Sequence, residues 1–180
     1  MELDDVGLVS KIVRGDQHAF LMLYDRHASH VYALTLRILH DANLAEEVTQ
    51  DTFLKLWDHS KQYLSERGTF LVWLLTIARR TALDRIRMED RRPILSGPTD
   101  PTDAWQSIAE AGSTSEESRW RTMYMTVEGL PSDQRQVIDL AYYQGMSQSE
   151  IASTLGWPLG TVKTRLRSAL EQLRRIWEDR

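Results

Sequence analysis

Apolar residues recur along most of this chain at intervals of three and four, not in alternation, and that period predicts helices. Gly15-Asp16 stands before Ala19, Phe20, Leu23 and Tyr24, spaced i, i+1, i+4 and i+5, with Asp16 placed to cap the first helix. A second helix carries Val31, Leu34 and Ile38. Asp41 opens a third that runs to about His59, with an inward stripe of Ala45, Val48, Thr52 and Leu56 and with Phe53 and Trp57 beside it. A fourth starts near Thr69 and ends before Pro93, burying Phe70, Leu74, Ile77, Ala78 and Ala82. No strand-like alternation lies between turn signals and no repeat is visible.

The C-terminal part is more sharply punctuated. After Leu130-Pro131-Ser132 comes a helix with Val137, Ile138, Ala141 and Tyr142 inward, stopped by Gly145. Ser147-Gln148-Ser149-Glu150 has the form of a capping box, in which the serine hydroxyl and the glutamate each satisfy a free backbone donor. The short helix behind it presents Ile151, Ala152 and Leu155, and Gly156 supplies a tight turn. Pro158 suits the first turn of the next helix, where its missing N–H costs little. That helix buries Val162, Leu166, Ala169 and Leu173 and exposes Gly160, Lys163, Thr164, Arg167 and Glu171. Short helix, glycine turn and longer basic helix is helix-turn-helix geometry. An ordinary helical hairpin would not need basic and small polar residues at the start of its second helix.

Charge sharpens the division. The net of −4, from 22 basic and 26 acidic residues in 180, argues against nucleic acid only if the charge is averaged. Residues 93–118 carry five acids and no base, whereas residues 79–92 hold six arginines against three acids and residues 158–175 hold five bases against Glu171 alone. Two cationic stripes thus flank an anionic connector rich in Pro, Gly and Ser/Thr. The expected organisation is two small all-α domains, 1–92 and 119–180, joined by a flexible acidic linker, 93–118. The absence of cysteine excludes disulfides, thiolate metal sites and thiol chemistry. The longest apolar run, 69–78, falls far short of the ~20 residues that cross a bilayer, and the acidic start is unlike a secretory signal. A cytoplasmic protein with no lipid anchor is expected.

Two helix faces invite function. On the third helix Glu47, Gln50, Asp51, Leu54 and Asp58 point outward, and Leu54 is a large apolar side chain among carboxylates and amides. It is either a scattered surface leucine or the centre of a helix-docking patch with a polar rim. On the fourth, Trp73, Thr76, Arg80, Asp84, Arg87 and Arg91 step by three and four along one side. Guanidinium groups pair with phosphates and an indole stacks on an unpaired base; a solvated arginine face with Trp73 half-buried is the plainer reading. Of five histidines, His27 and His30 are i, i+3 on a helix, but no third ligand is in register, so surface or satisfied histidines are expected and no metal site. No phosphate loop follows a strand, and no nucleophile–base arrangement is present.

Both ends together resemble an extracytoplasmic-function (group 4) sigma factor, a promoter-specificity subunit of bacterial RNA polymerase. The resemblance rests on Gly15-Asp16-Gln17-His18-Ala19-Phe20 with Leu23-Tyr24, on Ala45-Glu46-Glu47-Val48-Thr49-Gln50-Asp51-Thr52-Phe53 with Trp57, and on Trp73-Leu74, Ile77-Ala78-Arg79 and Asp84-Arg85-Ile86-Arg87. In the C-terminal part it rests on Leu130-Pro131, Gln144-Gly145, Ser149-Glu150-Ile151-Ala152 and Gly160-Thr161-Val162-Lys163-Thr164-Arg165-Leu166. The resemblance implies that Glu47, Gln50, Asp51 and Leu54 dock on the clamp helices of the polymerase β′ subunit, with the β subunit also a partner. It implies that Trp73, Thr76, Arg80, Asp84, Arg87 and Arg91 meet the −10 promoter element, and that the loop 60–68 captures a base flipped from the non-template strand. The −35 element falls to Thr161, Lys163, Thr164, Arg165, Arg167 and Ser168. The linker resembles a connector that threads the polymerase cleft towards the RNA exit channel.

The sequence departs from the family where Arg80 replaces a usual Asn and Ser168 a frequent Arg. An anti-sigma factor, in membrane-anchored form, is the further partner implied; since this chain has no cysteine, any redox sensing would reside there. No cofactor and no enzymatic activity are expected. Two other classes fit parts of the sequence: a stand-alone repressor or activator using only the helix-turn-helix, and a protein-binding adaptor. The docking ridge and the Arg–Trp helix speak against the first, and the basic recognition helix against the second.

Overall fold

The computed structural model of the chain describes residues 3–89 and 127–178. It divides into two compact units, Met1–Glu110 and Ala111–Arg180. The connector expected at 93–118 lies outside the described residues, among which the regular structure is helical throughout.

The first unit holds α1 (Asp5–Ile12), α2 (Gln17–Leu39), α3 (Ala42–His59) and α4 (Phe70–Glu89), with 3-10 turns at Ser60–Gln62 and Ser65–Arg67 between α3 and α4. Side-chain caps set three starts. Asp4 accepts from Gly7 N–H at 2.9 Å, Asp16 from His18 and Ala19 N–H at 2.9 and 3.1 Å, and Asp41 from Leu44 N–H at 2.9 Å. Helix α1 was not among the expected elements, although Asp4 followed by Leu8, Val9 and Ile12 carries its cap and its apolar stripe. The two helices expected between Gln17 and Leu39 are one, because no Gly or Pro interrupts the run; it ends at His40, which takes a left-handed φ of 53° and donates its N–H to Leu36 O at 2.8 Å.

Helix α2 is the hub, packing on α1, α3 and α4, while α3 also packs on α4. Leu23, Val31, Leu34, Val48, Phe53, Leu56, Leu74 and Ala78 form the sealed interior. Phe20 meets Phe53 and Trp57 edge-on at 6.2 and 5.5 Å, and Tyr24 lies 4.7 Å from Phe53, so α2 is keyed to α3 by aromatic contacts. The buried Thr49 and Thr52 hydroxyls donate one turn back, to Ala45 O and Val48 O, each at 2.7 Å.

The second unit contains α5 (Ser132–Ile138), a π-helical turn (Asp139–Tyr143), α6 (Gln148–Leu155) and α7 (Leu159–Glu178). Helix α7 carries the packing for α5 and α6. Val137, Leu140, Ile151 and Val162 form one buried cluster, and Val127, Leu130, Ile138 and Ala169 another, with Leu166 packed against both. The structure corrects one sequence expectation here, beside the π turn. Gln144 N–H donates to Asp139 O, five residues back, at 3.2 Å. Leu140 follows the fully buried Val137 by three positions and is buried on the same face, whereas Tyr142, expected inward, follows it by five and is 38% exposed.

Candidate functional site

The outward ridge of α3 forms because Ala45, Val48, Thr52 and Leu56 are buried, which turns Glu47, Gln50, Asp51 and Leu54 to solvent on the opposite face. Leu54 is 62% exposed, and its neighbours on the face are polar. The ridge is not isolated from α4. Arg85 Nη2 lies 2.6 Å from Glu47 Oε2, and Arg85 Nε lies 3.2 Å from Glu89 Oε1. In sequence Arg85 is only part of a motif; its role in tying two helices has no local signal.

On α4, Thr76, Arg80, Asp84 and Arg87 are exposed and Trp73 is half-buried. Trp73 rests on Tyr63 at 5.4 Å and on Phe70 at 6.1 Å, leaving part of the indole open. Thr76 donates its hydroxyl to Val72 O at 2.8 Å, so its oxygen remains an acceptor. Asp84 and Arg87 pair at 3.0 Å while both stay well exposed, a contact that water screens heavily. Arg91 lies outside the described residues. Val72 and Met88, 60% and 62% exposed, are apolar surface on this helix that no sequence motif marks.

Between the two helices, Lys61, Gln62 and residues 64–68 are exposed. Tyr63 donates its hydroxyl to Gly68 O at 3.2 Å, bridging the loop to the start of α4. Burial raises the Tyr63 phenol above its ordinary pKa, and the Asp5 and Asp4 carboxylates add to the effect, so it stays protonated and able to donate.

In the second unit the capping box is present. Ser147 N–H donates to Glu150 Oε2 at 2.6 Å and Glu150 N–H to Ser147 Oγ at 3.3 Å. Gly156 takes the turn at φ 67°, and Val162 N–H donates to Pro158 O at 3.2 Å, so Pro158 sits just before the first turn of α7. Burial of Val162 and Ala169 exposes Lys163, Thr164, Arg165 and Arg167, with Thr161 and Ser168 partly covered. Arg165 differs from the others: its Nε lies 2.8 Å from Asp133 Oδ2 of α5. Lys163 and Arg167 instead border an open cleft of about 470 Å3, lined also by Gln148, Leu166, Leu170 and Glu171. Gln148 and Leu170 were not among the expected site residues; only the docking of α6 on α7 brings Gln148 to this face.

No group of three or more metal-ligating side chains occurs among the described residues. His27 and His30 are buried, not surface residues. None of the described helices is long and apolar enough to cross a membrane.

Comparison with known proteins assigns the two units. Residues 23–92 match the family described as Sigma-70 region 2, and residues 127–175 match Sigma-70, region 4. The chain is 38% identical over 175 residues to the ECF RNA polymerase sigma factor SigK of Mycobacterium ulcerans (strain Agy99), covering 95% of this chain and 92% of that one. It is 36% identical over 171 residues to SigK of Mycobacterium tuberculosis (strain ATCC 25618 / H37Rv), covering 93% and 90%. Among solved structures, Rhodobacter sphaeroides SigE, crystallised in complex with the anti-sigma ChrR, is 28% identical with a TM-score of 0.50 and covers 96% of this chain and 97% of that one. The chain belongs to the extracytoplasmic-function (ECF) sigma factors of bacterial RNA polymerase.

Proposed function

We propose that this sigma factor divides promoter recognition between its two units, each through the exposed face described above. The observation that carries the reading is that one chain matches both region 2 and region 4, and that each matched unit turns a charged helical ridge to solvent. The Gln50–Asp51–Leu54 face of α3, with Glu47 at its edge, docks on the β′ clamp helices of core polymerase, where Leu54 supplies the apolar centre and the polar residues its rim. The β subunit completes the partner surface. Trp73, Thr76, Arg80, Asp84, Arg87 and Arg91 face the −10 element: arginines hold phosphates, and Trp73 offers a flat ring to an unpaired base. Loop 60–68 receives a flipped base, stabilising opened DNA by stacking and pocket contacts that offset the unstacking cost. Lys163, Thr164 and Arg167 read the −35 element in the major groove, with Thr161, Arg165 and Ser168 alongside. The acidic segment 93–118 joins domains 1–92 and 119–180 and lies in a channel built for nucleic acid until RNA displaces it.

The chain makes no bonds of its own; polymerisation belongs to the enzyme it joins, and it works in the cytoplasm where that enzyme and its promoters are. An anti-sigma factor, membrane-anchored, holds it inactive by covering both working surfaces. The SigE structure, solved with an anti-sigma factor, supports such a partner. The deciding experiment is size-exclusion chromatography with purified core polymerase, followed by transcription from promoters selected out of a random library. Co-elution with promoter-dependent transcripts is expected. DNA binding without co-elution favours a stand-alone regulator, and co-elution without promoter selectivity favours an adaptor.

A further inference from the structure

The region 2 match begins at residue 23, so α1 lies outside it and none of the surfaces above includes α1. A continuous set of contacts nevertheless runs from α1 to the loop 60–68. Asp5, in the first turn of α1, has a side chain only 13% exposed; its Oδ1 accepts from Arg26 Nη1 at 2.6 Å and its Oδ2 from His27 Nε2 at 2.9 Å. The His27 side chain is fully buried, and its ring lies 5.4 Å from that of Phe70, the first residue of α4. Phe70 in turn meets Tyr63 edge-on at 5.7 Å. Tyr63 closes the loop through Gly68 O, and Gly68 has φ 146°, a conformation that other residues rarely adopt. On its other side the loop faces α1 directly: Val6, Val9 and Val13 line a cleft of about 320 Å3 with Tyr63 and Leu64.

A loop of two short 3-10 turns has little internal means of holding a shape. Its backbone hydrogen bonds include Tyr63 N to Ser60 O, Arg67 N to Leu64 O and Gly68 N to Ser65 O, at 3.2, 3.0 and 3.4 Å. A site that accepts one base needs its walls fixed by neighbours with locked side chains. We propose that α1 is the foundation of this loop, with Asp5 and His27 as positioning residues that hold Phe70 and Tyr63, and so the exposed loop face, ready to receive an unpaired base. The proposal rests on the reading of residues 60–68 as the base-capturing loop.

The test uses holoenzyme reconstituted from the full chain and core polymerase. Its probe is a single-stranded −10 oligonucleotide, selected from a random pool by the wild-type holoenzyme and then made abasic at each position in turn. For wild type, one abasic position should weaken binding by about ten-fold, the scale of a single stacked base. For Asp5→Asn, the intact oligonucleotide should bind about ten-fold more weakly, and the abasic penalty should shrink to within about two-fold, while core binding and helical circular dichroism stay unchanged. An abasic penalty in Asp5→Asn equal to that of wild type overturns the proposal. So does loss of helix content or of core binding in that variant, since Asp5 is then a contact that merely holds the fold. If wild type shows no sensitive position, the base-capture reading itself fails, and the wild-type scan alone reveals it.

Discussion

Arg85 of α4 reaches Glu47 of α3 across 2.6 Å, joining the ridge proposed for core polymerase to the helix proposed for the −10 element. The two surfaces are therefore fixed to each other through side chains as well as through the buried interface behind them. Glu47 is 56% exposed and already has a cationic partner, whereas Leu54 is 62% exposed. The two residues should contribute unequally to docking.

Leu54→Glu should weaken core polymerase binding by at least ~2 kcal/mol, about thirty-fold, as loss of the apolar centre of an interface does. Glu47→Gln should cost less than ~1 kcal/mol, the scale of an exposed ion pair. Affinity titration of core polymerase with each variant compares them directly; equal losses would place the centre of the contact elsewhere.

The double variant Asp51→Arg, Leu54→Glu should abolish co-elution with core polymerase and leave the circular dichroism spectrum unchanged, because both side chains are exposed. Undiminished co-elution would rule out this face of α3 as the docking surface.

The arginines of α7 should separate. Arg167 borders the open cleft, so Arg167→Ala should cost roughly 1–3 kcal/mol on the preferred −35 sequence and flatten the preference at one or two positions. Arg165 is held by Asp133, and Arg165→Ala should weaken binding more evenly across sequences. A base-substitution series across the −35 element, run with each variant holoenzyme, gives the two profiles.

Two glycines of the helix-turn-helix should respond with opposite sign. Gly156 sits at φ 67°, so Gly156→Ala should destabilise by about 1 kcal/mol. Gly160 is helical and has open space where a methyl group would project, so Gly160→Ala should stabilise by about 0.5–1 kcal/mol. Urea unfolding of the full-length variants measures both.

Acid should loosen α1. Burial alone would raise the Asp5 carboxyl, but the His27 hydrogen bond and charge, and then those of Arg26, outweigh it and hold the group below its ordinary value of 3.8. A carboxylate with a lowered folded-state pKa stabilises the fold fully above the unfolded value, and that contribution is lost as pH falls through the folded one. The stability difference between wild type and Asp5→Asn should therefore be present above the ordinary carboxylate range and shrink as pH falls below it. A urea series from neutral pH into acid reads it; a difference that vanishes already near pH 6 would place the titrating group elsewhere.

What the sequence alone dictates is local. Asp16, Asp41 and the Ser147/Glu150 box cap helices within three residues of themselves, and the stripe Ala45, Val48, Thr52, Leu56 repeats with the helix's own period, so short-range sequence carries both. The exposed ridge of α3 followed from that stripe by elimination. The pairings that organise the surfaces did not. Arg85 meets Glu47 from 38 residues away, His27 meets Asp5 from 22, and Arg165 meets Asp133 across the second unit. Each depends on which helices abut and at what rotation, and a polar residue on a helix face bears no mark of the charge that will stand opposite it. Tyr142 makes the same point within one helix. Its four-residue spacing from the buried Ile138 suits an inward position, but Val137 and Leu140 are the pair packed with Ile151 and Val162, and Tyr142 lies off the face they define.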